Sequence, residues 1–576
     1  MVRLTCYGGV GEIGGNKILL ETGERRLFFD FGKSFGCYGR FFDGVFIKDR
    51  VGRGLLDPLS LGLVPPLRGL LRDDLIPALD PTGLAVTTIE PQGRQRKPRT
   101  HVTLTPDTAD SFWQHWERQS PLYRDLRRAH AAPVDLVLLS HAHQDHISDL
   151  EYVSPDVPAC STRMTAFISK VLLDTGLETS GAPYVALRSP RSDGMLEVAR
   201  EGGYRPRPWV FLGDPPDGSL DDDPLANPLS FWSRAGTHDL AWLSHPLPPG
   251  LQLRHWPVDH SLYGACAYAV ETESGWVAYS GDLRFHGGQG PLSYAFAEGL
   301  AALRPTVLLC EGTRLQPGEQ GRPSRVTETQ VFENCLERVR QAEGELVVAD
   351  FAPRNIERLQ SFHCIAQETG RRLLVQPKDA YLMRAMHLAD PAIPDLMQDP
   401  HLGLYQDPKV RPYAWEESVR RRYDSTSCGP QQVRGAPGEF LLAFSLTDIV
   451  DLLDLQFLLG RRAGGLYLFS NSQAYDDEQK ADLVRLWHWT QHLGMDVAGL
   501  EPHRHDWRGE VIDVATQPGF HASGHAAPED LVDLVRRVQP KILIPIHTEV
   551  PERWIELMKG TSIAVQLPEM GKPIAL

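Results

Sequence analysis

The segment Leu136-Val-Leu-Leu-Ser-His141-Ala-His143-Gln-Asp145-His146 constrains this chain more than any other stretch. An apolar run ends in four imidazole or carboxylate side chains within six residues. Each such group needs its own polar partner when buried, so packing alone does not account for four of them at one strand end. Alternate residues of an extended backbone share a side, so His141 and His143 point together, while Asp145 and His146 turn towards a second point. Imidazole nitrogens and a carboxylate so arranged suit Zn²⁺ or Mn²⁺.

Three residues elsewhere stand where further ligands or their supports belong. His260 lies in Pro257-Val-Asp-His-Ser-Leu-Tyr-Gly, and Asp282 follows the strand pattern Gly275-Trp-Val-Ala-Tyr and a tight Ser280-Gly281 turn, from which a carboxylate can bridge two cations. Asp30 ends Arg25-Arg-Leu-Phe-Phe and is placed to orient a ligand histidine by hydrogen bonding. Singly, each has an ordinary reading: a turn or surface residue for His260 and Asp282, a turn-initiating Asp before Gly32 for Asp30. The upstream cluster gives them a common purpose.

Strands are predicted on both sides of the loop Gly8-Gly-Val-Gly-Glu-Ile-Gly-Gly15, with a third ending at Asp30. A dinucleotide fingerprint would open a helix after that loop, whereas Asn16 to Thr22 resumes a strand pattern. Between Lys33 and Ser140, 108 residues exceed what a strand connection needs. They include the basic residues Arg94, Arg96, Lys97 and Arg99 and a helix predicted over 111–130, whose Trp113, Trp116 and Tyr123 suit a buried face better than a base-stacking platform. A second irregular region spans about 175–250, and both regions read as surface insertions. From Thr306 onward, buried strands alternate with helices, which is α/β punctuation.

Composition narrows the class further. With 42% hydrophobic and 23% charged residues among 576, the chain is neither collagen-like, coiled-coil nor mainly disordered. No apolar stretch approaches the roughly 18 to 20 residues of a membrane span, and the N-terminus lacks a signal-peptide pattern, so a cytoplasmic protein without membrane partners is expected. Eight scattered cysteines without a C-x-x-C pair argue against a disulfide framework or a cysteine zinc site. A net charge of −15 repels a polyanion at long range unless basic residues gather locally. The basic residues at 94–99 and Arg420-Arg421-Arg422 are candidates for that lining, although such runs are also ordinary solvated faces.

The sequence resembles the metallo-β-lactamase fold hydrolases, whose His-x-His-x-Asp-His signature is His141 to His146 here and whose other core motifs match Asp30, His260 and Asp282 in order. It is more similar still to their β-CASP nucleases of the ribonuclease J family, in Gly8 to Asn16, His260 to Thr272, Cys310-Glu-Gly-Thr313, His521-Ala-Ser-Gly-His525 and Ile544-Pro-Ile-His-Thr-Glu549. The resemblance implies an αββα sandwich of two sheets between helices, formed by residues 1–313 (with insertions at about 33–135 and 175–250) and 511–576, with an α/β β-CASP domain inserted at 314–510. It implies two divalent metal ions, Zn²⁺ or Mn²⁺, one held by His141, His143, His260 and Asp282 and the other by Asp145, His146, Asp282 and His547. Asp30 and Glu311 become supporting residues, His525 with Asp145 the catalytic pair, and His521 and Ser523 the substrate-phosphate contacts.

The function implied is hydrolysis of RNA phosphodiesters to 5′-phosphate products, 5′→3′ with internal cleavage as a variant. Three other readings share parts of this pattern. A DNA-directed β-CASP nuclease has the same core, but those relatives tend to carry an apolar residue where His547 stands. A small-ester or thioester hydrolase has no need of residues 314–510, and a non-catalytic scaffold should have lost ligands. The chain departs from the family pattern in Gly312, where a Ser is usual after the acidic residue, and in Asn471-Ser-Gln-Ala-Tyr-Asp-Asp-Glu478. With 29 residues after His547, no C-terminal dimerisation domain is expected, and oligomeric state and protein partners are not implied.

Overall fold

The computed structural model describes residues 2–43, 46–89, 99–176, 181–199, 203–236, 238–242, 244–315, 326–352, 354–396, 398–408, 411–474 and 477–576. Two sheets form the first unit. The seven-stranded one runs Trp209–Leu212, Ala159–Thr162, Leu136–Leu138, Arg25–Phe29, Ile18–Thr22, Arg3–Cys6, Pro573–Ala575, and the six-stranded one runs Leu253–Pro257, Cys266–Thr272, Gly275–Tyr279, Val307–Cys310, Ile542–Pro545, Ala564–Val565. The last strands of the chain complete both sheets, so the unit closes only after the inserted segment has been made.

Side-chain alternation dictates how the sheets stack. Leu4, Leu20, Leu27, Phe29, Leu136 and Leu138 meet Tyr268, Val270, Val277, Tyr279 and Leu309 in one buried layer. The opposite residues of the second sheet, among them Ala267, Ala269, Ala278 and Leu308, pack under the helices Gly290–Leu303 and Pro528–Val538. Val137, Leu139 and Phe28 on the far side of the first sheet pack with Phe167, Ile168 and Val171 of helix Arg163–Asp174. Small residues on one face and large ones on the other allow helix, sheet, sheet and helix to stack in that order. This is the αββα sandwich.

The inserted unit is a different kind of sheet. Its seven strands, in the order Ser427–Cys428, Leu402–Tyr405, Arg372–Val375, Phe440–Ala443, Val347–Asp350, Leu466–Phe469, Asp496–Ala498, are all parallel. The four-residue strands are buried along their length, apart from the half-buried Arg372 that opens Arg372–Val375, as a parallel sheet covered on both faces requires. The fold is therefore α/β with an inserted α/β unit.

Two expectations need correction. The helix predicted over 111–130 is Pro106–Gln119 and stops before Ser120-Pro121, because a residue preceding proline is disfavoured in helical geometry. Trp113 and Trp116 do face the core, at 2% and 7% exposure. The region 175–250 is not only surface: Trp209–Leu212 is the edge strand paired with Ala159–Thr162, and Leu225, Phe231 and Trp232 are buried. Further on, Val511–Thr516 forms a hairpin with Leu500–His505, and Val514 packs with the parallel sheet.

The two units are joined by buried polar contacts. Tyr381 in the inserted unit donates to Asp174 at 2.7 Å, and Arg384 donates to the Leu225 carbonyl at 2.9 Å. Arg284, fully buried, pairs with Asp259 at 3.1 Å, Glu328 at 3.1 Å and Glu357 at 2.8 Å, while Arg358 pairs with Glu328 at 2.9 Å. No helix among the described residues is long and apolar enough to cross a membrane.

Candidate metal centre and cleft

Asp30, His141, His143, His260, Asp282, Glu311 and His547 each follow the carboxyl end of a strand by a few residues, and strands of both sheets contribute. Their loops meet along one edge of the sandwich. His143 Nδ1 lies 2.9 Å from His141 Nε2 and 3.1 Å from His260 Nε2. Asp145 Oδ2 lies 3.1 Å from His547 Nε2, and Asp282 Oδ2 lies 3.1 Å from His146 Nε2, 3.5 Å from His547 Nε2 and 3.7 Å from His141 Nε2. Three ligand-type groups result among the described residues: His141 with His143 and His260; Asp145 with His146, Asp282 and His547; and Asp282 with Glu311 and His525. The Asp282 carboxylate belongs to the last two and lies 3.7 Å from His141 of the first.

The donor set fits divalent cations. Burial pushes His143 down to about 3, and burial with the neighbouring imidazoles holds His141 and His260 well below the usual histidine range. Neutral imidazoles each carry one lone pair, and three of them brought together offer the donor set that a divalent cation takes. Burial opposes charge on Asp145 and Asp282 too, but the surrounding imidazoles outweigh it and keep both carboxyls ionised well below their ordinary range. Asp282 Oδ1 is buried and meets no hydrogen-bond partner among the described residues, while His146 Nε2 faces the carboxylate oxygens of Asp282 at 3.1 Å and Asp145 at 3.5 Å. A buried carboxylate oxygen left over in this way is what a coordination site presents to a cation.

Asp30 organises the support. It accepts from Ser140 N at 2.7 Å, from His146 Nδ1 at 2.7 Å and from Tyr279 OH at 2.5 Å, which aims His146 Nε2 at the centre. Asp30 and His547 both hold left-handed backbone, φ 53° and 52°, a conformation that costs energy in a non-glycine residue and collects at functional sites. The glycine-rich loop serves the same centre: a Cβ on Gly14 would lie 2.6 Å from that of Asp145, and one on Gly32 would lie 1.8 Å from the Asp145 carbonyl oxygen. Lys17, buried, ties this loop to Asp149 at 2.8 Å.

Beside the centre, His525 Nδ1 donates to Glu311 at 3.1 Å. Burial disfavours the charged ring, but Glu311, Asp282 and Asp145 outweigh that and lift His525 to about 9. Glu311 also accepts from Leu283 N at 2.9 Å and Thr313 Oγ1 at 2.7 Å, and Thr313 Oγ1 lies 2.8 Å from His547 Nδ1. A cleft of about 590 Å³ opens here, lined by His525, His521, Ser523, His286, Arg314 and Lys480 among others. Ser523 Oγ accepts from His525 N at 3.1 Å, so it shapes its own loop; burial, then Arg358, holds His521 down to about 3.

Residues 517–552 match a Zn-dependent metallo-hydrolase RNA specificity domain. That span carries His521, Ser523, His525 and His547. A curated relative, "Ribonuclease J" of Mycolicibacterium smegmatis (strain ATCC 700084 / mc(2)155), is 25% identical over 332 residues, which are 55% of this chain. The chain spans 46% of the length of that relative. The resemblance to the ribonuclease J-like β-CASP family of metallo-β-lactamase folds is borne out. A crystal structure of a protein of unknown function from Enterococcus faecalis V583 shares the fold over 100% of both chains, with TM-score 0.61 and 19% identity.

Within this β-CASP fold the departure at Gly312 has a packing reason: a Cβ there would lie 3.0 Å from Leu315 Cδ1 and Thr548 Cβ and 3.1 Å from Trp554 Nε1. Sequence reasoning missed Thr313, Tyr279, Arg284 and His286. Arg284 donates to the Ser523 carbonyl at 3.2 Å and His286 Nε2 to the same oxygen at 3.0 Å, so both hold the loop that carries His525. Their place two and four residues after Asp282 was a signal; the distant carbonyl they reach was not. Of the basic candidates, Arg420 pairs with Glu416 at 2.7 Å and with Asp407, and Arg422 with Asp223 at 3.3 Å, so their charges are used internally. Arg94, Arg96 and Lys97 lie outside the described residues, as does the side chain of Arg99.

Proposed function

We propose that the chain is a metal-dependent ribonuclease that hydrolyses RNA phosphodiesters and leaves a 5′-phosphate on the downstream product. The observation that carries this reading is the convergence of seven ligand-type side chains beside His525, which is hydrogen-bonded to Glu311 and lies in the segment matching an RNA specificity domain. His141, His143 and His260 with Asp282 would hold one ion, and Asp145, His146, Asp282 and His547 the other. Such a pair supplies a nucleophile from water at neutral pH and stabilises charge on the phosphate oxygens.

The protein's own groups do the rest. Water oxygen bonds to phosphorus as the bond to the departing ribose oxygen breaks, and that oxygen needs a proton. His525 has Nδ1 committed to Glu311, so Nε2 is the end that can donate it. Glu311 keeps the ring charged, and Asp30 keeps His146 aimed. Ser523 and His521 line the approach for a substrate phosphate, favouring a 5′→3′ direction from a monophosphate end. In this reading residues 1–313 and 511–576 form the hydrolase core, and 314–510 the β-CASP insert over the cleft. The test of direction is a circular RNA against a linear one bearing 5′-monophosphate: the linear form should be degraded faster, and equal rates would leave an endonuclease instead.

A further inference from the structure

The parallel sheet of the inserted unit carries a crevice that the hydrolytic centre does not use. Strand Val347–Asp350 leads on to Arg372–Val375, two places to one side, whereas its immediate neighbour Leu466–Phe469 leads on to Asp496–Ala498 on the other side. Where connections diverge like this, the loops at the carboxyl ends of the two strands part, and open α/β sheets bind ligands there. A cavity of about 280 Å³ lies at that point, with Asp350, Phe469 and Asn471 from the two diverging strand ends and Ser445 and Thr447 from the next strand. It shares Gln473, Ala474 and Leu483 with the cleft beside His525, so a chain lying in the cleft can turn a residue into it.

The lining selects the ligand. Among the described residues no Lys or Arg lines the cavity and two carboxylates, Asp350 and Asp482, do, which disfavours a phosphate. Leu446, Phe469, Leu483 and Leu486 give apolar walls of the kind that accept a flat ring. Asp350 sits at the base, 2% exposed, accepting from Tyr467 OH at 2.8 Å through one oxygen, with the Asn471 amide 3.5 Å from the other. A hydrogen bond of 3.5 Å is weak, so that oxygen retains acceptor capacity. A carboxylate in an apolar slot matches a base edge with adjacent N–H donors, and among the common bases guanine offers two, its imino and amino groups.

We propose that this crevice is a nucleobase subsite that reads guanine through Asp350. The ligand class rests on the ribonuclease reading; the site itself rests on the sheet topology and the lining. Burial, the main influence on Asp350, lifts its carboxyl to about 7, so the group is easily persuaded to ionise by a ligand that donates to it.

The experiment is calorimetric titration of the full chain with nucleosides, which carry no phosphate to engage the hydrolytic centre. Guanosine should bind about tenfold or more tighter than adenosine, cytidine or uridine, since a good bidentate base contact discriminates by at least that order. Inosine, which keeps the imino group and lacks the amino group, should fall between guanosine and adenosine on the unaltered protein. Asp350→Asn should erase the guanosine preference. Equal binding of all nucleosides, no binding of any, or inosine equal to guanosine would overturn the assignment, and the inosine comparison holds even if the variant folds poorly. His143→Ala should abolish RNA cleavage while leaving guanosine binding intact, so loss of the hydrolytic reading and loss of the subsite are read separately.

Discussion

The two α/β units place polar chemistry at strand ends in opposite ways. In the sandwich, ligand-type residues from both sheets crowd one edge, and Asp282, buried, has imidazole nitrogens within 3.1 to 3.9 Å on several sides. In the inserted parallel sheet, Asp350 stands at a strand end hydrogen-bonded to the Tyr467 phenol and the Asn471 amide, with the opposed charges of Asp448 and Lys378 nearby. The first carboxyl is driven to ionise and the second is held near neutral, although both are buried. Burial alone therefore does not set a carboxylate's charge; the number of cationic or imidazole neighbours does. A site that binds metal and a site that binds a neutral ring can be built from the same residue at equivalent positions of two sheets.

The contrast can be broken most severely at the crowded edge. His143→Ala or Asp145→Ala should lose metal and reduce RNA hydrolysis to background, measured by metal analysis and cleavage of labelled RNA; full activity with unchanged metal content would contradict the ligand assignment. His525→Ala should keep its metal and lose about 10²- to 10⁴-fold in turnover, the usual contribution of a general acid. If metal is lost in proportion to activity, His525 is a ligand and the division of roles fails. Asp30→Asn should cost about 10- to 100-fold in metal affinity or activity by loosening His146, as supporting residues of metal sites do.

The smallest expected effect lies at the other carboxyl. Asp350 has a folded value of about 7, above the ordinary carboxylate range, so its protonated form favours the folded state. That contribution is complete below about pH 4, the ordinary carboxylate value, and is lost as pH rises through 7. Asp350→Asn should therefore raise stability relative to the parent at pH 8 more than at pH 5, read from denaturation midpoints. A difference independent of pH would mean that Asp350 is not held near neutral.

The same comparison explains what could be read in the sequence. The metal-type cluster was legible because four of its members lie within six residues and the others each close a strand pattern. The order of the parallel sheet was not legible, since Phe440–Ala443 inserts between Arg372–Val375 and Val347–Asp350, and no local pattern encodes a strand's neighbours. Asp350 in Leu346-Val-Val-Ala-Asp looks like an ordinary strand-ending residue. Arg284 and Arg358 likewise reveal their part only when Glu328 and the loop at 520–525 fold beside them. The edge strand Trp209–Leu212 was hidden in a region whose turn-forming residues suggested surface alone.

Metal-dependent cleavage of RNA is tested by following end-labelled RNA and matched DNA with the chelated protein before and after Zn²⁺ or Mn²⁺ is restored. The chelated protein should be inactive, and restored metal should return cleavage of RNA, with 5′-phosphate on the products and DNA largely intact. RNA cleavage that persists without metal, or a metal-loaded protein that cleaves DNA as fast as RNA or neither of them, would contradict it.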